Sequence, residues 1–397
     1  MPDRRAFLQR VASLPVLGGL MPALAAPPRP AGRDYLAELG VRTFINAAGT
    51  FTAMSASLMP PEVTEAWRAA SRHYVNISEL QDKVGARIAS LVGAEAAMVS
   101  SGAAGALTVG TAGCITGLDQ NAIHQLPDVT GLKSEVIIQK AHRFGYEHAI
   151  RATGAKFVEV ETAEDVDRAV NSQTAMMMFL NYADPAGKIK AAEWVELGKK
   201  HNVPTFIDCA ADVPPASNLS KYVKLGFDLV TFSGGKGLRG PQSAGLLLGR
   251  KERIAAARAN TSPNGDTMSR GMKVNKEEII GMLAAGELYL KKDHEAEWKD
   301  WERRVQTIVA SVRDLPSIQT ETFVPEIANK VPHLKIWWDP SKLKLTPPEV
   351  QTRMREGRPS IEVNPMTTEK ELVIGVWMLE PGEAEIVGKR LRAVLKG

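Results

Sequence analysis

The sequence predicts an α/β protein, with a mostly parallel, seven-stranded sheet in a large domain and a smaller α+β domain at the C-terminus. Three observations carry this. Seven short, continuous apolar runs recur between Ala96 and Gly249, which is how strands buried on both faces read. Helical stretches lie between them, and strand–helix repetition implies parallel pairing with helices on both sides of the sheet. At 397 residues the chain also exceeds the ~250–300 residues at which a single core stops growing.

Taken in order, the chain opens with a basic stretch, MPDRRAFLQR, and the apolar run VASLPVLGGLMPALAA, which ends in Ala23, Ala25 and Ala26. That is the order of an export signal, expected over residues 1–26. The run contains Pro15 and Pro22 and falls short of the ~20 apolar residues that span a bilayer, so no stable membrane anchor is expected. Arg4-Arg5 followed by Phe7-Leu8 resembles a bacterial twin-arginine signal, which exports folded proteins to the periplasm or beyond. A plain secretory signal with two adjacent arginines is the competing reading. Residues 27–44, with Pro27-Pro28-Arg29-Pro30, read as an N-terminal arm.

The large domain is expected over 45–275. Its strands are AAMVS (96–100), EVIIQ (135–139), KFVEV (156–160), AMMMFL (175–180), PTFID (204–208), DLVTF (228–232) and AGLLLG (244–249). Met176-Met177-Met178 is read as strand core. Helices are expected over 163–171 and 191–202, the second with Trp194, Val195 and Leu197 for its inner face. Helical periodicity from Lys276 to Val312 marks a linker helix into the C-terminal domain, 276–397, with strands HLKIWW (333–338) and ELVIGVW (371–377) and a closing helix from Glu383.

Composition excludes several classes. Hydrophobic residues make up 44% and charged residues 24%, the balance of an ordinary globular protein rather than a disordered or fibrous one. Removing residues 1–26 takes away Arg4, Arg5, Arg10 and Asp3 and lowers the formal charge from +4 to +2. That is no footprint for a polyanion, and no nucleic-acid partner is expected. Cys114 and Cys209 form neither a disulfide framework nor a metal-ligand spacing, so no metal site is expected.

The chemistry concentrates at strand ends. In Thr231-Phe232-Ser233-Gly234-Gly235-Lys236-Gly237 a lysine sits among glycines directly after a strand, at the carboxyl edge where open α/β sheets place ligands. Burial that depresses its pKa makes a lysine a Schiff-base nucleophile. A solvated lysine in a glycine-rich loop is the alternative. Twenty-eight positions upstream, Asp208 ends PTFID and is followed by Cys209-Ala210-Ala211. Pyridoxal 5'-phosphate needs this pair: an aspartate keeps its ring nitrogen protonated and a lysine holds its aldehyde. Ala210 leaves room for the flat ring. A buried Asp that caps a helix is the competing reading.

Ser101-Gly102-Ala103, after AAMVS, opens a helix of small residues, and helix N-termini bind phosphate. Ser233, three before the lysine, is a second phosphate ligand on this reading. His142, in Gln139-Lys140-Ala141-His142, is expected to stack on the ring, although lone histidines are often structural. Asn181, after AMMMFL, is expected to bond the ring hydroxyl. Arg270 and Arg358 are set against phosphate or substrate carboxylate, or else against surface ion pairs.

With Asp208, FSGGKGLRGPQSAGLLLG, LVGAEAAMVSSGAAGAL and INAAGT (45–50), the sequence resembles the selenocysteine synthase group of fold-type I pyridoxal-phosphate enzymes, with an aminotransferase class V-like fold. KSEVIIQKAHRFGYEHAIRATG looks closer to the amino-sugar-acid ammonia-lyase branch than to true selenium transferases. The resemblance implies that Lys236 binds the cofactor, that Asp208 pairs its ring nitrogen and that the protein is a homodimer or higher homo-oligomer. It implies lyase chemistry, an α,β-elimination on a small amino acid or amino-sugar acid through an external aldimine. Aldolase, racemase or aminotransferase chemistry starts the same way, and a non-catalytic exported binding protein is the alternative outside enzymes. Selenium transfer to seryl-tRNA is disfavoured. True transferases carry an extra N-terminal tRNA-binding region, whereas INAAGT follows the signal within about twenty residues, and their lysine typically follows Asp where this chain has Gly235.

Overall fold

The computed structural model describes residues 33–397; the expected export signal, 1–26, and residues 27–32 of the expected arm lie outside the described residues. Within 33–43, Asp34 caps a one-turn helix, Tyr35–Glu38. Phe44–Gly397 form a separate unit, to which everything below refers.

The strands are β1 (Phe44–Ala47), β2 (Ala96–Ser100), β3 (Glu135–Gln139), β4 (Lys156–Val160), β5 (Thr174–Leu180), β6 (Thr205–Asp208), β7 (Leu229–Ser233), β8 (Gly245–Gly249), β9 (Gln319–Phe323), β10 (His333–Trp337), β11 (Ser360–Val363) and β12 (Leu372–Gly375). All seven expected large-domain strands are present within a residue of their expected bounds. They form one sheet in the order β2-β8-β7-β6-β5-β3-β4. Strands β7, β6, β5, β3 and β4 are mutually parallel. Strand β8 runs antiparallel to both neighbours, so β2 points the same way as the parallel five. Six carboxyl ends therefore share one edge.

Both faces of this sheet are dry, which explains the continuous apolar runs. Within β5, Met176 and Met178 join one core cluster with Leu107, Val109 and Ile254. Met177 and Phe179, pointing the other way, join a second with Ile88, Trp194, Ile207 and Met282. The first face is covered by helices Gly102–Thr116 and Lys251–Ala259, the second by Ile77–Val92, Ala191–His201 and Lys276–Lys291. Gly85 lets the helix Ile77–Val92 sit directly on β2, since a Cβ there would fall 2.1 Å from the Ala97 carbonyl oxygen.

A third cluster gathers Ile45, Trp301, Val305, Leu334, Ile361, Ile374 and Leu391. It is built on the antiparallel sheet β12-β10-β9, the parallel pair β1-β11 and the helices His294–Val312, Pro347–Glu356 and Glu383–Lys396. The helix expected without interruption from Lys276 to Val312 is two helices. Lys292 turns extended, and the Asp293 side chain caps a fresh start by accepting from Glu295 and Ala296 N–H, so a local capping signal overrides continuous periodicity.

Candidate active site

The shared edge collects the chemistry-bearing residues. Asp208 ends β6 opposite Thr231 of β7, and Lys236 lies five positions beyond Thr231, in the loop that leaves β7. Asp208 is buried at 6% exposure, and one carboxylate oxygen accepts the Ala210 N–H at 2.9 Å. Burial pushes this carboxyl up, against the pull of the Ala210 N–H and the Lys236 charge. Burial likewise pushes the Lys236 amine down, against Asp208 and then Asp212. Among the described residues the Lys236 amine makes no hydrogen bond or ion pair. An amine with a depressed pKa and no partner is a nucleophile in waiting.

Backbone packing fixes the lysine loop. Gly234 N–H donates to Ala244 O at 2.9 Å, Gly240 N–H to Gly234 O at 2.8 Å, and the Ser57 hydroxyl to Gly235 O at 2.6 Å. The glycines serve this packing rather than access to the amine. A Cβ on Gly237 would meet the Val213 carbonyl oxygen at 2.0 Å, and one on Gly235 the Gln242 Cα at 2.5 Å. Arg239 pairs with Glu380 at 2.9 Å, tying the loop to the C-terminal segment.

At the end of β2, Ser101 precedes the 15-residue helix Gly102–Thr116 and makes no side-chain cap bond. Gly102 takes φ 67°, a conformation that glycine adopts freely. The first-turn N–H groups of Gly102 and Ala103 are thus left as donors for an anion. Ser233 is half-buried at the end of β7, where its N–H reaches Ala210 O at 3.4 Å. A buried acid, an unpartnered amine and an uncapped helix start at one edge fit pyridoxal 5'-phosphate, with Asp208 for the ring nitrogen, Lys236 for the aldehyde carbon and Ser101–Ala103 for the phosphate.

One expectation changes. His142 is fully buried at 0% exposure. Its Nδ1 accepts the Leu180 N–H at 3.2 Å, its Nε2 lies 3.2 Å from the Gln139 amide, and its ring packs edge-on against Phe179. Burial, then Lys190, lowers its pKa to about 4. No ring face is presented to a cofactor, so the structure replaces the stacking role with a core one. Arg270 and Arg358 are both exposed, and among the described residues neither side chain forms an ion pair or reaches the sheet edge by a hydrogen bond.

Asn181 is buried, and its amide donates to the Tyr222 hydroxyl at 2.7 Å. It also bonds Asp212, which sequence reasoning missed. Burial pushes the Asp212 carboxyl up to about 6, assisted by Asp208, while hydrogen bonds from Asn181, the Ala328 N–H and the Cys209 thiol pull it down. Asp212 is 3% exposed and acts electrostatically on Lys236. The available signal was a second acid four residues after Asp208, directly before Val213-Pro214-Pro215.

The model of the family described as L-seryl-tRNA selenium transferase matches residues 44–314. The chain belongs to that family. Relatives of the chain differ in the chemistry for which they are named. The chain is 26% identical over 373 residues to the D-glucosaminate-6-phosphate ammonia lyase of Salmonella typhimurium, covering 90% of this chain and 96% of that protein. It is 28% identical over 372 residues to a 5'-C-glycyluridine monooxygenase-decarboxylase from Streptomyces sp, covering 90% and 91%. A solved structure of a D-glucosaminate-6-phosphate ammonia-lyase superposes with a TM-score of 0.80 at 24% identity, over 92% of this chain and 99% of that one. The fold is that of the fold-type I pyridoxal-phosphate enzymes, and pyridoxal 5'-phosphate is the cofactor.

Proposed function

We propose that the protein is a lyase that performs α,β-elimination on a small hydroxylated amino acid or amino-sugar acid, releasing ammonia. The observation that carries this is the placement of Asp208 at the end of β6 and the unpartnered Lys236 in the loop that leaves the adjacent β7, in a chain related over nearly its whole length to an ammonia lyase. When bound, the cofactor withdraws electrons from the substrate α-carbon and makes its hydrogen acidic. Lys236 first holds the cofactor and then, freed by the substrate amine, removes the α-proton as general base. Its low pKa supports that role because the amine must be uncharged to accept a proton. Asp208 holds a proton on the ring nitrogen. The β-hydroxyl leaves with the proton that Lys236 took, as water, and the released enamine tautomerises and hydrolyses to a 2-oxo acid and ammonia. Ser101, Gly102 and Ala103 anchor the phosphate, with Ser233 beside them.

A second reading, oxidative decarboxylation, is favoured by the Streptomyces relative, which covers the same share of the chain. Incubating purified holoenzyme with D-glucosaminate 6-phosphate, hydroxyamino acids and 5'-C-glycyluridine separates the two. Ammonia with an equal amount of 2-oxo acid supports elimination, and oxygen consumption with carbon dioxide release replaces it. Export through residues 1–26, a large domain at 45–275 with a smaller one after it, and a homodimeric state belong to this proposal.

A further inference from the structure

The peptide that joins Gly235 to Lys236 carries the reactive side chain, and its carbonyl accepts the Ser57 hydroxyl at 2.6 Å. Among the described residues no other hydrogen bond reaches that peptide. Its N–H, on Lys236, has no partner, and the backbone bonds nearby are donated by Gly234, Arg239 and Gly240 N–H. Packing sets where Gly235 and Gly237 sit, since a Cβ on either would meet backbone atoms. Glycine itself restricts its dihedrals little, so the chain on both sides of Lys236 is intrinsically loose. The tilt of the Gly235–Lys236 peptide is thus left to one hydroxyl.

Ser57 is half-buried and reaches the lysine peptide from 178 positions upstream, on a segment that is itself firmly held. Where the segment leaves β1, Asn46 Oδ1 accepts the Ala48 and Gly49 N–H groups at 3.0 Å each. The Asn46 amide donates to Gly49 O at 3.1 Å and Ala56 O at 3.4 Å, and the Asn364 amide holds Ala48 O at 2.8 Å. Across the lysine loop, the Gln242 amide donates to Thr52 O at 3.1 Å. Ser55 and Ala56 then both adopt the left-handed region, at φ 62° and 55°, which costs energy in any residue with a Cβ. Such strain persists where the surroundings over-determine it, and it gathers at functional sites. Here the strained pair immediately precedes the residue that meets the lysine peptide.

We propose that Ser57 is a positioning residue for Lys236, acting through the Gly235 carbonyl to hold the lysine backbone where its amine reaches the cofactor aldehyde and the substrate α-proton. The lysine side chain is a flexible four-carbon stem, so a tilt of its backbone is carried to the amine at the far end. Misplacing a reacting group by about 1 Å costs up to about a hundredfold in rate. In this role Ser57 acts through Lys236 and not on the substrate. The role rests on Lys236 as the cofactor lysine and holds whichever reaction follows.

The test needs no substrate. Apoprotein is mixed with pyridoxal 5'-phosphate, and the rise of the visible band gives the rate of capture, in which the amine adds to the aldehyde carbon and one water leaves. Urea unfolding of the same apoprotein reports on the fold. Ser57→Ala should slow capture by about tenfold or more. Ser57→Thr, which keeps the hydroxyl, should restore the rate to within about threefold of wild type, and Ser57→Val, with threonine's shape and no hydroxyl, should be as slow as Ser57→Ala. Ser57→Ala with a lower urea midpoint and an unchanged capture rate would make Ser57 a purely structural residue and overturn the proposal. Equal rates for Ser57→Thr and Ser57→Val would also overturn it. If Ser57→Ala does not fold, Gln242→Ala, which frees Thr52 O on the same segment, should slow capture by about threefold, and an unchanged rate there overturns the proposal. A wild-type adduct on a lysine other than Lys236 removes the proposed function's cofactor lysine as well, whereas normal capture on Lys236 that no Ser57 variant alters removes the positioning role alone.

Discussion

Asp208 and Lys236 close adjacent parallel strands, the acid opposite Thr231 and the lysine five residues beyond it, close enough to act on each other's ionisation without forming an ion pair. The gap between a buried acid and a half-buried amine is what a flat, cationic ring nitrogen and an aldehyde carbon would bridge. Asp208→Asn should therefore keep the cofactor on Lys236 but lose the proton on the ring nitrogen. We expect turnover to fall by about a hundredfold or more, with the visible band retained; turnover within a fewfold of wild type would remove Asp208 from the chemistry.

Asp212 makes a pH prediction. Its folded pKa of about 6 lies above the ordinary 3.8, so between those values the folded chain keeps a proton that the unfolded chain has released. Its contribution is complete below about pH 4 and falls as pH rises through 6. In urea unfolding of the apoprotein, the stability of wild type relative to Asp212→Asn should drop by roughly 2–3 kcal/mol from pH 4 to pH 7. A constant difference over that range would contradict the buried-acid assignment.

Gly187 tests the core role of His142. A Cβ at Gly187 would fall 2.4 Å from His142 Nε2 and 3.0 Å from the Gln139 amide, and Gln139 is held in place by both the N–H and the carbonyl of Ile189. Gly187→Ala should cost about 1–3 kcal/mol of stability, read as a lower urea midpoint with an unchanged m-value. A neutral result would show that the His142–Gln139 pair is free to shift.

What was legible in the sequence follows from local physics. The central strands read correctly because burial on both faces leaves a continuous apolar run, as in Met176-Met177-Met178-Phe179, and even the edge strand β4, with Lys156 and Glu159 exposed, keeps Phe157, Val158 and Val160. Strands β1 and β11, four residues each, are invisible because they pair with each other across more than three hundred positions. Strand β9, Gln-Thr-Glu-Thr-Phe, is largely exposed and lacks the apolar signature. Asp208, Lys236 and the helix start at Gly102 were legible because strand ends announce the sheet edge. His142 was misread because edge position does not reveal which way a side chain turns, and only the Leu180 N–H and Phe179 decide that. Asp212 was missed because its hydrogen-bond partners Asn181 and Ala328 lie far from it along the chain.

Export can be tested independently of the fold. Replacing Arg4-Arg5 with Lys-Lys should keep the protein in the cytoplasm with its signal attached, because twin-arginine transport reads that pair. Fractionation that finds the variant exported as efficiently as wild type would rule out the twin-arginine route.

The most direct measurement is borohydride reduction of the purified protein followed by peptide mass mapping. The account predicts a visible absorbance band that disappears on reduction, a pyridoxyl-phosphate adduct on Lys236, and no adduct in a folded Lys236→Ala variant. A colourless protein that takes up no pyridoxal phosphate, or an adduct on any other lysine, would contradict it.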